Sequence, residues 1–280
     1  RAVMYQYSMT QWIAGNEAIE ESFKRLGRFG YDGIEFAAEP ETTDVGYLRE
    51  LMSQYDLTCT SLCGIFPESR DLSGSGQEGV SYVRAGIDMA AALGAPYLIV
   101  VPSPVGRTAP PPGSDYKESW DRAVRNVRTA ADYAGAKNVK LAVEALNRYE
   151  TYLVNSMEKN LAFVREVSHP AVKLMADCFH MSIEERSISE SLRMVSDYLV
   201  HVHIADNTRE AAGLGHTDFK EILYTLGEIG YDGALTMEFL PQTADPYAAA
   251  DEETRSKQMD DYAELSIRYM KTLERCLKIT

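Results

Sequence analysis

Short runs rich in β-branched and aromatic residues alternate with longer amphipathic segments along this whole chain, and that alternation constrains its fold most. The runs predict strands at Val3–Ser8, Gly33–Ala37, Thr58–Cys63, Pro96–Val101, Val139–Glu144, Val172–Asp177, Leu199–Ala205 and Ala234–Phe239. Helices are predicted between them at Glu17–Phe29, Asp44–Tyr55, Gly79–Leu93, Asp115–Ala134, Ser156–Val167 and Asp218–Ile229, with a long final one at Asp251–Lys278. A Ser-x-x-Glu pattern at Ser182–Glu185 reads as a capping box that opens a helix running to about Tyr198. Gly30 and Gly94 close two of the helices, as glycines do where the chain turns left-handed. Eight β/α alternations in 280 residues predict one α/β domain over 1–280, a single (β/α)8 barrel. An open doubly wound sheet is the structural rival, but the loop after the first strand lacks the glycine-rich turn that such a fold uses for phosphate.

Composition narrows the function. A net charge of −14 repels a nucleic-acid backbone, and no basic groove is visible. No apolar run approaches the ~20 residues of a membrane span, and the first residues, RAVMYQYSMTQW, show no signal-peptide core. Four scattered cysteines without CxxC spacing suit reduced thiols, so a cytoplasmic location is expected.

In a barrel of this kind chemistry sits at the C-terminal ends of the strands. The fifth to eighth strands end in Glu144, Asp177, His203 and Glu238, and period-two alternation turns each toward the barrel interior. One polar residue at a strand end is unremarkable; four on consecutive strands form a pattern. Three carboxylates and an imidazole repel one another unless a cation lies between them, and a mostly oxygen donor set favours Mn²⁺, Co²⁺ or Mg²⁺. His201 lies one layer deeper on the same face as His203 and reads as a supporting or core histidine. Glu150, His180 and Arg209 follow just past the strand ends and suit either sugar oxygens or solvent. Asp206 reads as a loop brace, Thr217 as a helix cap, and His169 and His216 as loop residues.

The motifs EALNRYE (Glu144, Glu150), DCFHM (Asp177, His180), HIADNTR (His203, Arg209) and TMEF (Glu238) resemble the D-tagatose/D-psicose 3-epimerase group of the xylose-isomerase-like barrels. The resemblance covers essentially the whole chain and is densest from 139 to 240. It implies a divalent metal, Mn²⁺ first, on Glu144, Asp177, His203 and Glu238. It also implies a ketose held by Glu150, His180 and Arg209, with Tyr5 as a pocket aromatic. Glu144 and Glu238 would then exchange the C3 proton from opposite faces through an enediolate. The proline-rich loop 102–114 lacks the tryptophan that closes the sugar pocket in that group, and the loop after the third strand differs as well. Room for an aglycone keeps a lyase acting on 3-keto sugars, or an inosose or keto-sugar isomerase or dehydratase, as alternatives. The expected partner is a small sugar, with neither nucleic acid nor membrane. The resemblance implies a homo-oligomer, with a hetero-oligomer under the lyase alternative. Tyr247, Tyr262 and Tyr269 are candidates for an interface or for packing on the barrel. A DNA-repair endonuclease of this fold would need more metal ligands and a basic face, and a non-catalytic sugar binder would have lost a carboxylate.

Overall fold

The computed structural model describes residues 5–241 and 252–279. Eight parallel strands close into a barrel in the order β1 to β8. They are β1 (Gln6–Thr10), β2 (Gly33–Ala37), β3 (Thr58–Cys63), β4 (Tyr97–Val100), β5 (Lys140–Val143), β6 (Val172–Asp177), β7 (Leu199–Ile204) and β8 (Ala234–Met237). The helices around it are α1 (Ile19–Phe29), α2 (Val45–Tyr55), α3 (Gln77–Leu93), α4 (Tyr116–Ala136), α5 (Met157–Val167), α6 (Cys178–Glu184), α7 (Ile188–Met194), α8 (Phe219–Glu228) and α9 (Glu252–Ile279). β1 pairs with both β2 and β8, which closes the ring.

The large apolar core lies between strands and helices, where Phe23, Phe36, Leu98, Val124, Phe163 and Leu235 are buried. Inside the barrel the lining is divided. Cys63, Ile99, Ala142 and Met175 form a small apolar cluster there. By strand alternation the rest of the interior is polar, with Ser8, Thr10, Glu35, Ser61, His201, His203 and Thr236 all buried. Ser8, Glu35, Ser61, His201 and His203 are joined there by side-chain hydrogen bonds, whereas the Thr10 and Thr236 hydroxyls find no partner among the described residues.

Most predicted boundaries agree within two residues, and three differences have physical causes. β1 is Gln6–Thr10, so it ends at Thr10 rather than Ser8, and the predicted strand residues 3 and 4 lie outside the described residues. The expected capping box at Ser182 is not formed: the Ser182 hydroxyl bonds back to the Phe179 carbonyl at 2.6 Å, inside α6. Two short helices replace the single one, capped by Asp177, whose side chain accepts from the His180 N–H, and by Ser187, which accepts from the Glu190 N–H. On α9, Tyr262 is buried and donates to Glu210, and the Tyr269 ring packs edge-on against Phe219. Both therefore pack on the barrel, while Tyr247 lies outside the described residues. Among the described residues all four cysteines are free, and no helix is long and apolar enough to cross a membrane.

Candidate metal centre and sugar pocket

Four strand ends bring Glu144, Asp177, His203 and Glu238 together. One donor atom of each lies within 4.8 Å of the others, and all four residues are buried. Donors around one small cation at ~2.1–2.4 Å stand no more than about twice that distance apart, so the spacing fits a single ion. The two glutamates stand one residue beyond β5 and β8, three strands apart around the ring.

His203 shows most clearly what this cluster accommodates. Its Nε2 lies 3.1 and 3.0 Å from the two carboxylate oxygens of Glu35. A carboxylate accepts only, so Nε2 carries the hydrogen. Among the described residues its Nδ1 has no hydrogen-bond partner, and it stands 3.5 Å from Asp177 and 3.3 Å from Glu238. A lone pair facing two carboxylates calls for a positive charge between them, either a proton or a metal ion. The donor set of three carboxylates and one imidazole suits a divalent ion.

The ionisation of the side chains agrees with that geometry. Burial pushes Glu144 well above the usual carboxylate range, and the charge of Glu238 adds to the shift. Burial also opposes charge on His203, but Glu238, Glu35 and Asp177 outweigh it and raise the imidazole well above its ordinary value. Asp177 is held at about 2 despite burial, by His180 and His203 and by the backbone N–H of His180 at 3.1 Å. Its Oδ1 caps α6 while its Oδ2 faces His203, so one carboxylate fixes both the helix and the cluster.

A cavity of about 370 Å³ opens above the cluster. Glu144 and Glu238 form part of its floor, Ile65, Phe66, Val101 and Leu146 give it an apolar side, and Glu150, His180 and Arg209 give it a polar one. His180 is buried in α6, and its Nδ1 accepts from the Asn147 backbone N–H at 3.1 Å. That bond assigns the remaining proton to Nε2, making His180 a hydrogen-bond donor for a ligand oxygen. Arg209 sits at φ +66, stacks 4.4 Å above the Phe179 ring, and places Nη1 3.2 Å from both oxygens of Glu150. A non-glycine residue in that region is uncommon, and such strain gathers at functional sites.

Asp206 braces the loop that carries Arg209. It accepts from the backbone N–H groups of Asn207, Gly213 and Thr217 at 2.9 to 3.1 Å. These bonds outweigh burial and hold its carboxyl below the usual range. Asp206→Ala leaves these donors without their acceptor, so we expect a stability loss of about 1–3 kcal/mol in denaturant melts. KM should rise more than kcat falls, because the loop positions Arg209 rather than a proton carrier.

Tyr5 is placed elsewhere. Because β1 starts at Gln6, Tyr5 precedes the strand instead of ending it. Its hydroxyl donates to the Leu223 carbonyl on α8, and its ring stacks on Tyr231, at the N-terminal end of the barrel. The pocket aromatic is instead Trp12, in the short 3-10 turn that follows β1, and its Nε1–H donates to Glu238 at 3.1 Å. A correct end for the first strand would have pointed to it. Asn147, within the motif EALNRYE, joins Glu150 to His180, a role that the sequence pattern does not single out. Glu35 carries no such signal either, since it is buried in β2 with apolar neighbours on both sides.

The family model for xylose isomerase-like TIM barrels matches residues 23–271, and the chain belongs to that family. It is 42% identical over 124 residues to a D-psicose 3-epimerase from Ruminiclostridium cellulolyticum. That match covers 44% of this chain and only 42% of the relative's length. It is 32% identical over 226 residues to an L-ribulose 3-epimerase from a Methylomonas species, covering 78% of each chain. Among solved structures, a D-allulose 3-epimerase from Methylomonas in complex with D-allulose superposes with a TM-score of 0.83 at 26% identity, covering 96% of this chain and 97% of that one.

Proposed function

We propose that the chain is a divalent-metal-dependent ketose 3-epimerase, which inverts C3 through an enediolate by proton transfer between Glu144 and Glu238. The observation that carries this reading is the pair itself: two glutamates from strands three apart, both in the four-donor cluster and both facing one cavity. The epimerase names of the relatives support it, whereas the lyase alternative draws no support from them.

A bound divalent cation, Mn²⁺ first, would supply Lewis acidity that stabilises the negative charge developing on the substrate oxygens. The chain's own groups do the rest. One glutamate takes the C3 proton and the other returns one to the opposite face, which inverts the centre. Trp12 holds one oxygen of Glu238 and so fixes the orientation of that carboxylate. His180 and Arg209 donate to sugar oxygens, with Glu150 and Asn147 holding both in place. Ile65, Phe66, Val101 and Leu146 limit the access of water to the reacting carbon.

Incubation with Mn²⁺ and D-fructose, D-psicose, D-tagatose or a 3-keto-glucoside, followed by chromatography, tests the substrate class. The reading expects a free ketose and its C3 epimer to interconvert. Conversion of the 3-keto-glucoside alone, with every free ketose unchanged, would overturn it.

A further inference from the structure

Beneath the cluster, inside the barrel, lies a charged residue that the chemistry above does not use. Glu35 is fully buried on β2. Its Oε2 accepts from the Ser61 hydroxyl at 2.5 Å and lies 3.1 Å from His201 Nε2. His203 Nε2 lies across both oxygens at 3.0 to 3.1 Å. Ser61 spends its only hydrogen on Glu35, so its oxygen is left to accept from His201 Nε2 at 3.1 Å. Ser61, His201 and His203 thus each donate to Glu35. We propose that Glu35 is a positioning residue that locks His203 in the Nε2–H form, so that its Nδ1 lone pair is presented to a divalent cation.

The inference rests on the reading of the four-residue cluster as a cation site, but its content is separate. Among the described residues, Glu35 alone accepts a hydrogen bond from His203 Nε2. Were Nε2 unprotonated, its lone pair would face the Glu35 carboxylate, and Nδ1–H would occupy the place of a ligand. A carboxylate behind a metal-binding imidazole both selects the tautomer and raises the ligand's basicity, and loss of such a partner typically costs 10–100-fold in metal affinity. His201 and Ser61 then have a role as well: they hold the carboxylate from the side away from the cluster.

The geometry makes Glu35→Gln a sharp test. Because His203 Nε2 is about equidistant from both oxygens, an amide in either orientation sets an N–H against it in place of one acceptor and leaves only a neutral carbonyl as the other. Mn²⁺ binding to wild type and Glu35→Gln would be titrated calorimetrically. In parallel, the wild type, labelled with ¹⁵N-histidine and loaded with diamagnetic Zn²⁺, would be read by long-range proton–nitrogen correlation. The expected result is Kd weakened 10–100-fold in the variant, and a wild-type His203 that carries its hydrogen on Nε2 only. The spectrum needs no variant, so it can overturn the proposal even if Glu35→Gln fails to fold, while the comparison of Kd values tests Glu35 itself. A hydrogen on Nδ1, or a folded variant that binds Mn²⁺ within twofold of wild type, overturns the proposal. Wild type without saturable Mn²⁺ binding overturns the cation site as well, whereas normal wild-type binding with an unaffected variant overturns Glu35 alone.

Discussion

Glu238→Gln should reduce the epimerisation rate by roughly 10²–10⁴-fold, the usual contribution of a positioned proton carrier. That range corresponds to about 3–5 kcal/mol of lost transition-state stabilisation. The substitution keeps the volume of the side chain and an oxygen for the Trp12 N–H, so the fold should be retained. What the amide loses is the ability to take and return a proton. Glu144→Gln should be as damaging, with one informative difference. Burial and the charge of Glu238 already favour the neutral form of Glu144. An amide there relieves that repulsion, and the metal-free variant should melt no lower than wild type. Steady-state rates and thermal melts of both variants check this. Activity within tenfold of wild type in either variant would remove that glutamate from the proton transfer.

Removing the divalent cation should have the second large effect, on stability and activity together. A ligand at 100 to 1,000 times its Kd stabilises the folded chain by about 2.7–4.1 kcal/mol. For a chain of this size that amounts to roughly 5–7 °C in Tm. The effect should depend on pH with a definite sign. Without the cation, His203 and Glu144 both hold protons more tightly in the folded chain than in the unfolded one. Folded metal-free protein therefore loses stability as pH rises above the ordinary carboxylate and imidazole values. The cation takes the place of those protons, so its affinity strengthens over the same range. The difference in Tm between Mn²⁺-loaded and chelator-treated protein should widen from about pH 5 to pH 8. A constant or shrinking difference would contradict the assignment of those two groups to the cation site.

The sequence made the barrel legible because parallel strands buried on both faces form apolar runs, and because the helices between them are amphipathic. The cluster was legible for a related reason. Glu144, Asp177, His203 and Glu238 interrupt apolar runs at their C-terminal ends, where polarity has no packing role. Residues that act through other residues were harder to see. Glu35 lies between Ile34 and Phe36 within a strand, and only the fold brings His201, His203 and Ser61 from β7 and β3 against it. One hint was present in the sequence: GYDGIEF, which contains Glu35, echoes GYDGALTMEF, which contains Glu238. Tyr5 and Trp12 show the opposite difficulty. Tyr5 shares the outward face of Tyr7 and Met9, whereas Trp12 falls in the turn beyond the strand, so an aromatic near the first strand does not by itself locate the pocket. Ser182 and Ser187 show a third. Both are followed three residues later by a glutamate, and only the backbone decides which hydroxyl caps a helix.

The central claim is that Glu144 and Glu238 move a proton at C3 of a ketose beside a bound divalent cation. Solvent isotope exchange tests it most directly. D-psicose and D-fructose would each be incubated with the Mn²⁺-loaded protein in D₂O and analysed by NMR. The account predicts deuterium at C3 of the epimer formed, no deuterium elsewhere on the chain of the sugar, and loss of the signal on chelation. Epimerisation with the C3 hydrogen retained, or exchange that survives removal of the cation, would contradict it.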